Sequence, residues 1–313
     1  MTKVFIDGSA GTTGLRIHER LAGRTDLELL ILPEEVRKDT AARKEALHTA
    51  DIAFLCLPDD AAREAVSLAE GSRVAIIDTS TAHRTVEGWE YGFPELYGRK
   101  KRIAESKRIG NPGCHASGFI ALVEPLMRAG LLKKNAQLSC FSLTGYSGGG
   151  KKMIAEYEGE GRDALLDAPR MYGLTQQHKH LKEMVKICGL DNAPVFCPIV
   201  APFYSGMEVT VPLFAKTAAD AEEIKAVYRK CYANGLVRFV ENADESGFVS
   251  ANALAGRDDM QITVSGNAER ILLVARYDNL GKGASGAAIQ NMNLLLGVDE
   301  ATGLITEIGR AHV

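Results

Sequence analysis

No stretch of this chain approaches the roughly 20 consecutive apolar residues needed to cross a bilayer, so no membrane-spanning helix is expected. Positive charge is nowhere concentrated. The longest basic run, Arg99-Lys100-Lys101-Arg102, reads as a solvated loop, and a net charge of −3 leaves no footprint for nucleic acid. The six cysteines, at positions 56, 114, 140, 188, 197 and 231, include no C-x-x-C pair. That spacing excludes the usual zinc site and a disulfide framework, and no metal is expected. Cys56, Cys140, Cys188, Cys197 and Cys231 lie in apolar segments and read as small core residues. No signal-peptide pattern follows Met1-Thr2-Lys3, which leads straight into a strand, so a cytoplasmic protein with reduced thiols is expected.

What is present is an ordinary globular composition, 46% hydrophobic and 25% charged, over 313 residues. That length favours two domains over one core, and no internal repeat or low-complexity linker divides them. Short apolar runs at 4–6, 27–32, 52–57 and 74–77 alternate with helical patterns at 12–21, 41–48 and 60–70. The runs show no internal polar alternation, which predicts a parallel sheet covered on both faces, a Rossmann plan. Beyond residue 126 the strands lengthen (137–144, 195–200, 207–214, 261–265, 271–277), with helices near 180–188 and 219–234. This predicts an α+β domain with a mostly antiparallel sheet. A last helix, 284–296, is placed in neither domain by its pattern alone.

Cys114 carries the most chemical information. It stands in Asn111-Pro112-Gly113-Cys114-His115-Ala116-Ser117, where a tight turn gives way to a helix. Unpaired backbone N–H groups and the helix dipole at such a position favour the thiolate, so a nucleophile active near neutral pH is expected. A proton partner is available in Gln176-Gln177-His178-Lys179-His180-Leu181-Lys182-Glu183, which holds two of the seven histidines. His18, His48 and His312 read as exposed helix or tail residues.

Gly8-Ser9-Ala10-Gly11-Thr12-Thr13-Gly14 follows the first strand and opens a helix, the context of a dinucleotide-binding turn. After the second strand, Glu34 and Glu35 suit a ribose hydroxyl while Arg37 and Lys38 suit a 2'-phosphate, so spacing leaves NAD and NADP tied. Asp78-Thr79-Ser80-Thr81-Ala82-His83-Arg84 ends the fourth strand, where a doubly wound sheet places ligand contacts; Ser80 is expected beside the cofactor and Arg84 on an anionic substrate group. Gly145-Tyr146-Ser147-Gly148-Gly149-Gly150-Lys151-Lys152 resembles a P-loop but has Lys152 where Ser or Thr would bind magnesium. It reads instead as a mobile loop whose N–H groups and lysines meet a substrate phosphate.

Taken in order, Gly8–Gly14, Asp78-x-Ser80-x-x-x-Arg84, Tyr91-Gly92-Phe93-Pro94-Glu95-Leu96, Asn111-Pro112-Gly113-Cys114, Tyr146-Ser147-Gly148 and Lys282-Gly283-Ala284-x-Gly286-x-Ala288-x-Gln290-Asn291-x-Asn293-Leu294 resemble the short form of the N-acetyl-gamma-glutamyl-phosphate reductase family. The resemblance implies a two-domain enzyme of arginine biosynthesis, related to aspartate-semialdehyde and glyceraldehyde-phosphate dehydrogenases, and tips the cofactor toward NADP. It implies Cys114 as the nucleophile, His178 or His180 as acid/base, and Gly283, Ala284 and Asn291 near the nicotinamide. Asn111, Ser147, Gly148, Lys151 and Glu183 join Arg84 on the side of a small acyl-phosphate substrate. An NADP-binding domain of residues 1–114 and 281–313 and a catalytic and oligomerisation domain of 115–280 are expected, in a homodimer or homotetramer joined through strands such as 207–214. Two other readings stay open: a sister acyl-phosphate reductase such as aspartate-semialdehyde dehydrogenase, and a non-catalytic NADP-sensing regulator.

Overall fold

Unalternated apolar runs build the first sheet, because strands buried on both faces have no polar side to show. The structure is a computed structural model that describes residues 1–215, 219–307 and 310–311; His312 lies outside them. Strands β1 (Thr2–Asp7), β2 (Leu27–Leu30), β3 (Ile52–Leu55), β4 (Ala75–Asp78), β5 (Glu90–Tyr91) and β6 (Arg108–Gly110) pair in the order β2-β1-β3-β4-β6-β5, every ladder parallel. Helix α1 (Thr12–Leu21) covers one face, where Ile17 and Leu21 pack with Val4, Ile6, Phe54 and Ile77. On the other face α2 (Thr40–Thr49) and α3 (Asp59–Leu68) bring Leu47, Ala62 and Ala65 onto Phe5, Ala53 and Ile76. The basic run at 99–102 is not a loop. It opens α4 (Arg99–Glu105), because Ile103 has a buried site to fill and Arg99 reaches Glu90 at 2.6 Å.

Helix α5 (Cys114–Arg128) leads out of this layer and is buried almost all round. Its Phe119, Leu122 and Leu126 join Val209, Val211, Leu273 and Ala275 in the largest core. Those partners belong to the second sheet, formed by β7 (Ser139–Gly145), β8 (Arg170–Met171), β9 (Val195–Ala201), β10 (Met207–Phe214), β11 (Val237–Phe239), β12 (Met260–Gly266) and β13 (Arg270–Tyr277). The order is β11-β12-β13-β10-β7-β9-β8. The sheet is mixed, which corrects the mostly antiparallel expectation: β7 runs parallel to β9, and β11 to β12. Between β7 and β9 the chain makes a long crossover through α6 (Gly150–Glu158) and α7 (Leu181–Cys188), the connection a parallel pair requires. The glycine-rich segment expected to be a mobile loop is therefore structured, as a 3₁₀ turn at Tyr146–Gly149 followed by α6.

Helix α8 (Ala221–Cys231), opened by an Asp220/Glu223 capping box, lies on the same face as α5. The last helix, α9 (Gly286–Leu296), follows a π-helical turn at Gly281–Ser285 and returns to the first sheet, placing Ala288, Ile289 and Met292 among Val4, Ile6 and Ile77. A short hairpin, β14 (Ile305–Glu307) with β15 (Arg310–Ala311), follows it. Among the described residues no helix is long and apolar enough to cross a membrane. Cys140 and Cys188 are buried, whereas Cys56, Cys197 and Cys231 are only partly so.

Gly118 shows how tightly α5 is seated. A Cβ there would lie 2.6 Å from Val209 Cγ2 and 2.7 Å from the Tyr277 hydroxyl. That hydroxyl accepts from the Gly118 N–H at 3.0 Å and donates to the Cys114 carbonyl. Overpacking of this kind costs about 1–3 kcal/mol. Gly118→Ala is expected to lower unfolding stability by that amount in urea titration, with an unchanged slope.

Candidate active site

The turn after β1 separates two cavities. One, of about 490 Å³, is lined by Gly8, Ser9, Ala10 and Gly11 together with Arg37, Lys38 and Pro58. The other, of about 320 Å³, is lined by Thr12 and Thr13 and by Cys114, His178 and His180. The glycines of the turn differ in what requires them. At Gly8, with φ +85°, a Cβ would sit 2.3 Å from the Cys56 carbonyl oxygen, and at Gly14 2.4 Å from the Gly8 carbonyl oxygen. Both are demanded by close packing of the turn against β3 and α1. At Gly11 the nearest atom is 3.4 Å away, so packing does not require glycine there. Gly11 is the position left for a ligand to approach the backbone, and it N-caps α1 with no side chain occupying the first-turn N–H groups. These residues fit a dinucleotide. Arg37 and Lys38 line the first cavity, whereas Glu34 and Glu35 do not, which favours the 2'-phosphate side of the tie.

Cys114 is the first residue of α5, set there by Gly113 in extended backbone (φ −77°, ψ 145°). A Cβ on Gly113 would lie about 2.5 Å from Arg84 Nη1 and His180 Nε2 and 2.6 Å from Glu183 Oε1. Glu183 holds this turn from α7. Its carboxylate is 2% exposed and accepts from Arg84 Nη1 at 2.8 Å, Tyr91 Oη at 2.7 Å and the Gly113 N–H at 3.1 Å. Arg84 also donates from Nε to the Asn111 carbonyl (2.8 Å) and from Nη2 to the Thr79 carbonyl (2.9 Å).

Burial pushes the Cys114 thiol above its ordinary value, and Glu183 adds to the rise; Arg84, the His115 N–H and Lys179 pull it down without prevailing. The expected resting thiolate is thus replaced by a thiol, because the low-dielectric surroundings outweigh the helix terminus. The histidines nearby are held neutral by the same cause. Burial lowers His115 to about 3 and His178 to about 4, and burial with the Arg84 charge depresses His180 strongly. The rings cluster, His178 lying 4.7 Å from His180 and 5.6 Å from His115 between centroids. His115 is engaged at both nitrogens, by Ser142 Oγ (2.7 Å) and Tyr172 Oη (2.6 Å). His178 Nδ1 accepts the His180 backbone N–H at 3.3 Å. His180 Nδ1 is buried with no partner.

Opposite the cysteine stands the π-helical turn. A Cβ on Gly283 would meet Cys114 Cβ at 3.1 Å. The turn hangs on Asp278, whose buried carboxylate accepts from the N–H groups of Leu280 (2.6 Å) and Gly281 (3.1 Å) and from Ser205 Oγ (3.0 Å). Beside it, Asn279 Nδ2 donates to Ser147 Oγ at 3.0 Å.

The cleft brings together Thr12, Thr13, Arg84, Asn111, Cys114, Ser147, Gly148, His178, His180, Gly283 and Ala284, all singled out from sequence. Four others lie elsewhere. Ser80 turns its hydroxyl to Asp78 Oδ2 (2.8 Å), a buried carboxylate that also holds His83, and Thr79 faces the cleft instead. Asn291 is buried behind the cleft, donating to the Gly92 carbonyl (2.9 Å) and to Asn111 Oδ1 (3.2 Å). Glu183 spends both oxygens on protein donors, and Lys151 is exposed on α6 outside the lining. Of the remaining histidines, His48 is exposed and His18 half-buried. Sequence reasoning passed over Tyr172, Asn279 and Lys179, which also line the cleft. For Lys179 the signal was its place between the two histidines.

Residues 3–105 match the model described as semialdehyde dehydrogenase, NAD binding domain, and 114–279 that of the semialdehyde dehydrogenase dimerisation domain. An N-acetyl-gamma-glutamyl-phosphate reductase of Rhizobium meliloti is 47% identical over 94% of this chain and 98% of its own length. The chain belongs to the N-acetyl-gamma-glutamyl-phosphate reductase family. Other members include a protein of Brucella ovis, 48% identical over 94% of this chain and 99% of its own, and one of Nostoc sp., 45% identical over 96% and 99%. Among solved structures, aspartate semialdehyde dehydrogenase II of Vibrio cholerae superposes with a TM-score of 0.72 at 18% identity, covering 95% of this chain and 98% of that one. The aspartate semialdehyde dehydrogenase of Francisella tularensis gives 0.70 at 15%, over 95% and 100%. This N-acetyl-gamma-glutamyl-phosphate reductase family member shares their fold.

The negative charge of Glu183 raises the Cys114 thiol, so its removal acts in the opposite direction. In Glu183→Gln the alkylation of Cys114 by iodoacetamide is expected to reach half-maximal rate at a lower pH than in the wild type.

Proposed function

We propose that this protein reduces N-acetyl-gamma-glutamyl phosphate to N-acetylglutamate 5-semialdehyde, with NADPH and release of phosphate, as a step of arginine biosynthesis in the cytoplasm. The observation that carries the chemistry is one cleft lined by the Cys114 thiol, His180 and the start of the cofactor-turn helix. The choice of substrate is supported by the relatives of that name at 44–48% identity.

Cys114 is the nucleophile. Its sulfur attacks the acyl carbon, the C–S bond forms, and the C–O bond to phosphate breaks with its electron pair leaving on phosphate. His180 is the acid/base because its Nε2 packs on Gly113, one residue from the thiol. At rest both groups are neutral, so attack requires a proton to pass from sulfur to imidazole. The imidazolium then protonates the oxygen that becomes negative in the hydride step, and correct placement of such a group is worth roughly 10²–10⁴-fold. His178 orients His180 through the backbone N–H it accepts. The N–H groups at the start of α5 stabilise the oxyanion.

NADPH, when bound, supplies the hydride that turns the thioester into an aldehyde and frees the cysteine sulfur. Gly8 to Gly14 would hold its pyrophosphate, Arg37 and Lys38 its 2'-phosphate, and Gly283 and Ala284 would border the nicotinamide side of the cleft. Residues 1–114 with 281–313 form the NADP-binding domain in this reading, supported by the return of α9 to the first sheet, and 115–280 the catalytic and oligomerisation domain. A homodimer forms through the outer face of the second sheet, where Phe141, Val195 and Leu272 are 42%, 60% and 42% exposed. A monomeric mass in solution scattering would reject the dimer.

The deciding experiment is NADP reduction with N-acetylglutamate semialdehyde and phosphate, run beside aspartate semialdehyde. Activity with the acetylated compound alone is expected. Preference for the aspartyl compound would move the substrate assignment to the sister enzyme, and silence with both would favour a cofactor sensor. Cys114→Ser is expected to fold and bind NADP while losing turnover by at least about 10³-fold; turnover near the wild-type rate would remove the thioester step.

A further inference from the structure

An acyl phosphate brings a dianion to the cleft, and it must be met by cations with uncommitted N–H groups. The Arg84 charge is already paired with the buried Glu183, and its Nε, Nη1 and Nη2 each donate to a protein oxygen at 2.8–2.9 Å. Its role is that of a fixed positive charge holding the turn before Cys114. Lys151 and Lys152, which the glycine-rich segment offered for the same task, are exposed on α6 and do not line the cleft. Lys179 does line it. Among the described residues it is the one cleft-lining cation with neither a hydrogen bond nor an ion pair. The Asp59 carboxylate, within its electrostatic reach, is already taken by the N–H and hydroxyl of Thr81 at 2.9 and 2.5 Å.

We infer that Lys179 binds the phosphoryl group of the substrate, and of inorganic phosphate in the reverse reaction, through its free ammonium. This rests on the acyl-phosphate reading above and adds to it the residue that recognises the leaving group. Three observations converge on the phosphoryl end of the substrate over its carboxylate end. Lys179 stands in the chain between His178 and His180, so its backbone position is fixed by the same segment that delivers the acid/base. Its charge lowers the Cys114 thiol and both histidine rings, so it is felt by the groups that line the cleft beside it. The phosphoryl oxygen is bonded to the reacting carbon, whereas the substrate's carboxylate is several bonds away. Finally, the neighbouring residue His180 lines the same cleft and keeps a buried Nδ1 without a protein partner, so the segment holds a second uncommitted polar group. An exposed ammonium at the mouth suits a leaving group that must depart: it binds without desolvating a permanent ion pair.

The test uses the full-length protein saturated with NADP, which blocks the cofactor's own phosphate sites. Inorganic phosphate is titrated by phosphorus NMR line broadening into the wild type, Lys179→Met and Lys179→Arg. Met is expected to weaken phosphate binding by about tenfold or more, the loss of one charge-assisted hydrogen bond, and Arg to retain most of it. In the reverse assay the KM for phosphate is expected to rise in Lys179→Met while the KM for the aldehyde stays unchanged. Equal phosphate affinity in wild type and Lys179→Met would overturn the inference, as would no phosphate binding by the wild type. A rise confined to the aldehyde KM would also overturn it, by assigning Lys179 to the carboxylate. Phosphate binding that depends on Lys179 in a protein with no turnover on the acetylated aldehyde would keep the inference and sink the proposed substrate.

Discussion

One buried carboxylate holds the site together. Glu183, from α7, ties the end of β4 through Arg84, the β5 strand through Tyr91, and the turn into α5 through the Gly113 N–H. Three separate stretches of chain thereby converge within one residue of Cys114. The arrangement is all-or-nothing in energetic terms. A buried ion pair adds little net stability over an apolar substitute, but removing one partner strands the other charge at a cost of roughly 3–5 kcal/mol. The position of Cys114 is thus backed by a contact that the fold cannot lose piecemeal.

Around that anchor the two sides of the cleft are built by different means. On one side a helix begins at the thiol, seated by Tyr277 through both the Cys114 carbonyl and the Gly118 N–H. On the other side Asp278 gathers backbone N–H groups into a π-helical turn that sets a bare Gly283 against the cysteine. A Cβ there would press on Cys114 Cβ and the Asp278 carbonyl oxygen, each 3.1 Å away. Asn279, the next residue, locks the same turn to Ser147, so the glycine-rich segment is rigidified from outside its own sequence.

Much of the first sheet was legible because runs such as Ile52–Leu55 are apolar on both sides and end in glycine or proline turns. Cys114 was legible because Asn-Pro-Gly announces the start of its helix. The strands β5 and β6 were not, since two or three residues carry no periodicity. Helix α4 was hidden by its basic face, and only Ile103 turns inward. The parallel pairing of β7 with β9 depends on where a long crossover returns, which local pattern does not encode. Ser80, Asn291 and Glu183 were placed in the right neighbourhood but on the wrong side of it. Their partners, Asp78, Gly92 with Asn111, and Arg84 with Tyr91, lie far apart in sequence or compete for the same polar group. The resting charge of the thiol was missed for a related reason: a helix terminus is visible in sequence, and burial is not.

The raised Cys114 thiol also bears on oxidation. Peroxide and disulfide exchange attack thiolates, and they attack those that solvent can reach. A half-buried cysteine whose thiol is held above its ordinary value, next to imidazoles held below theirs, presents little of the vulnerable form near neutral pH. The desolvation that raises the Cys114 thiol thereby also lowers its reactivity toward oxidants.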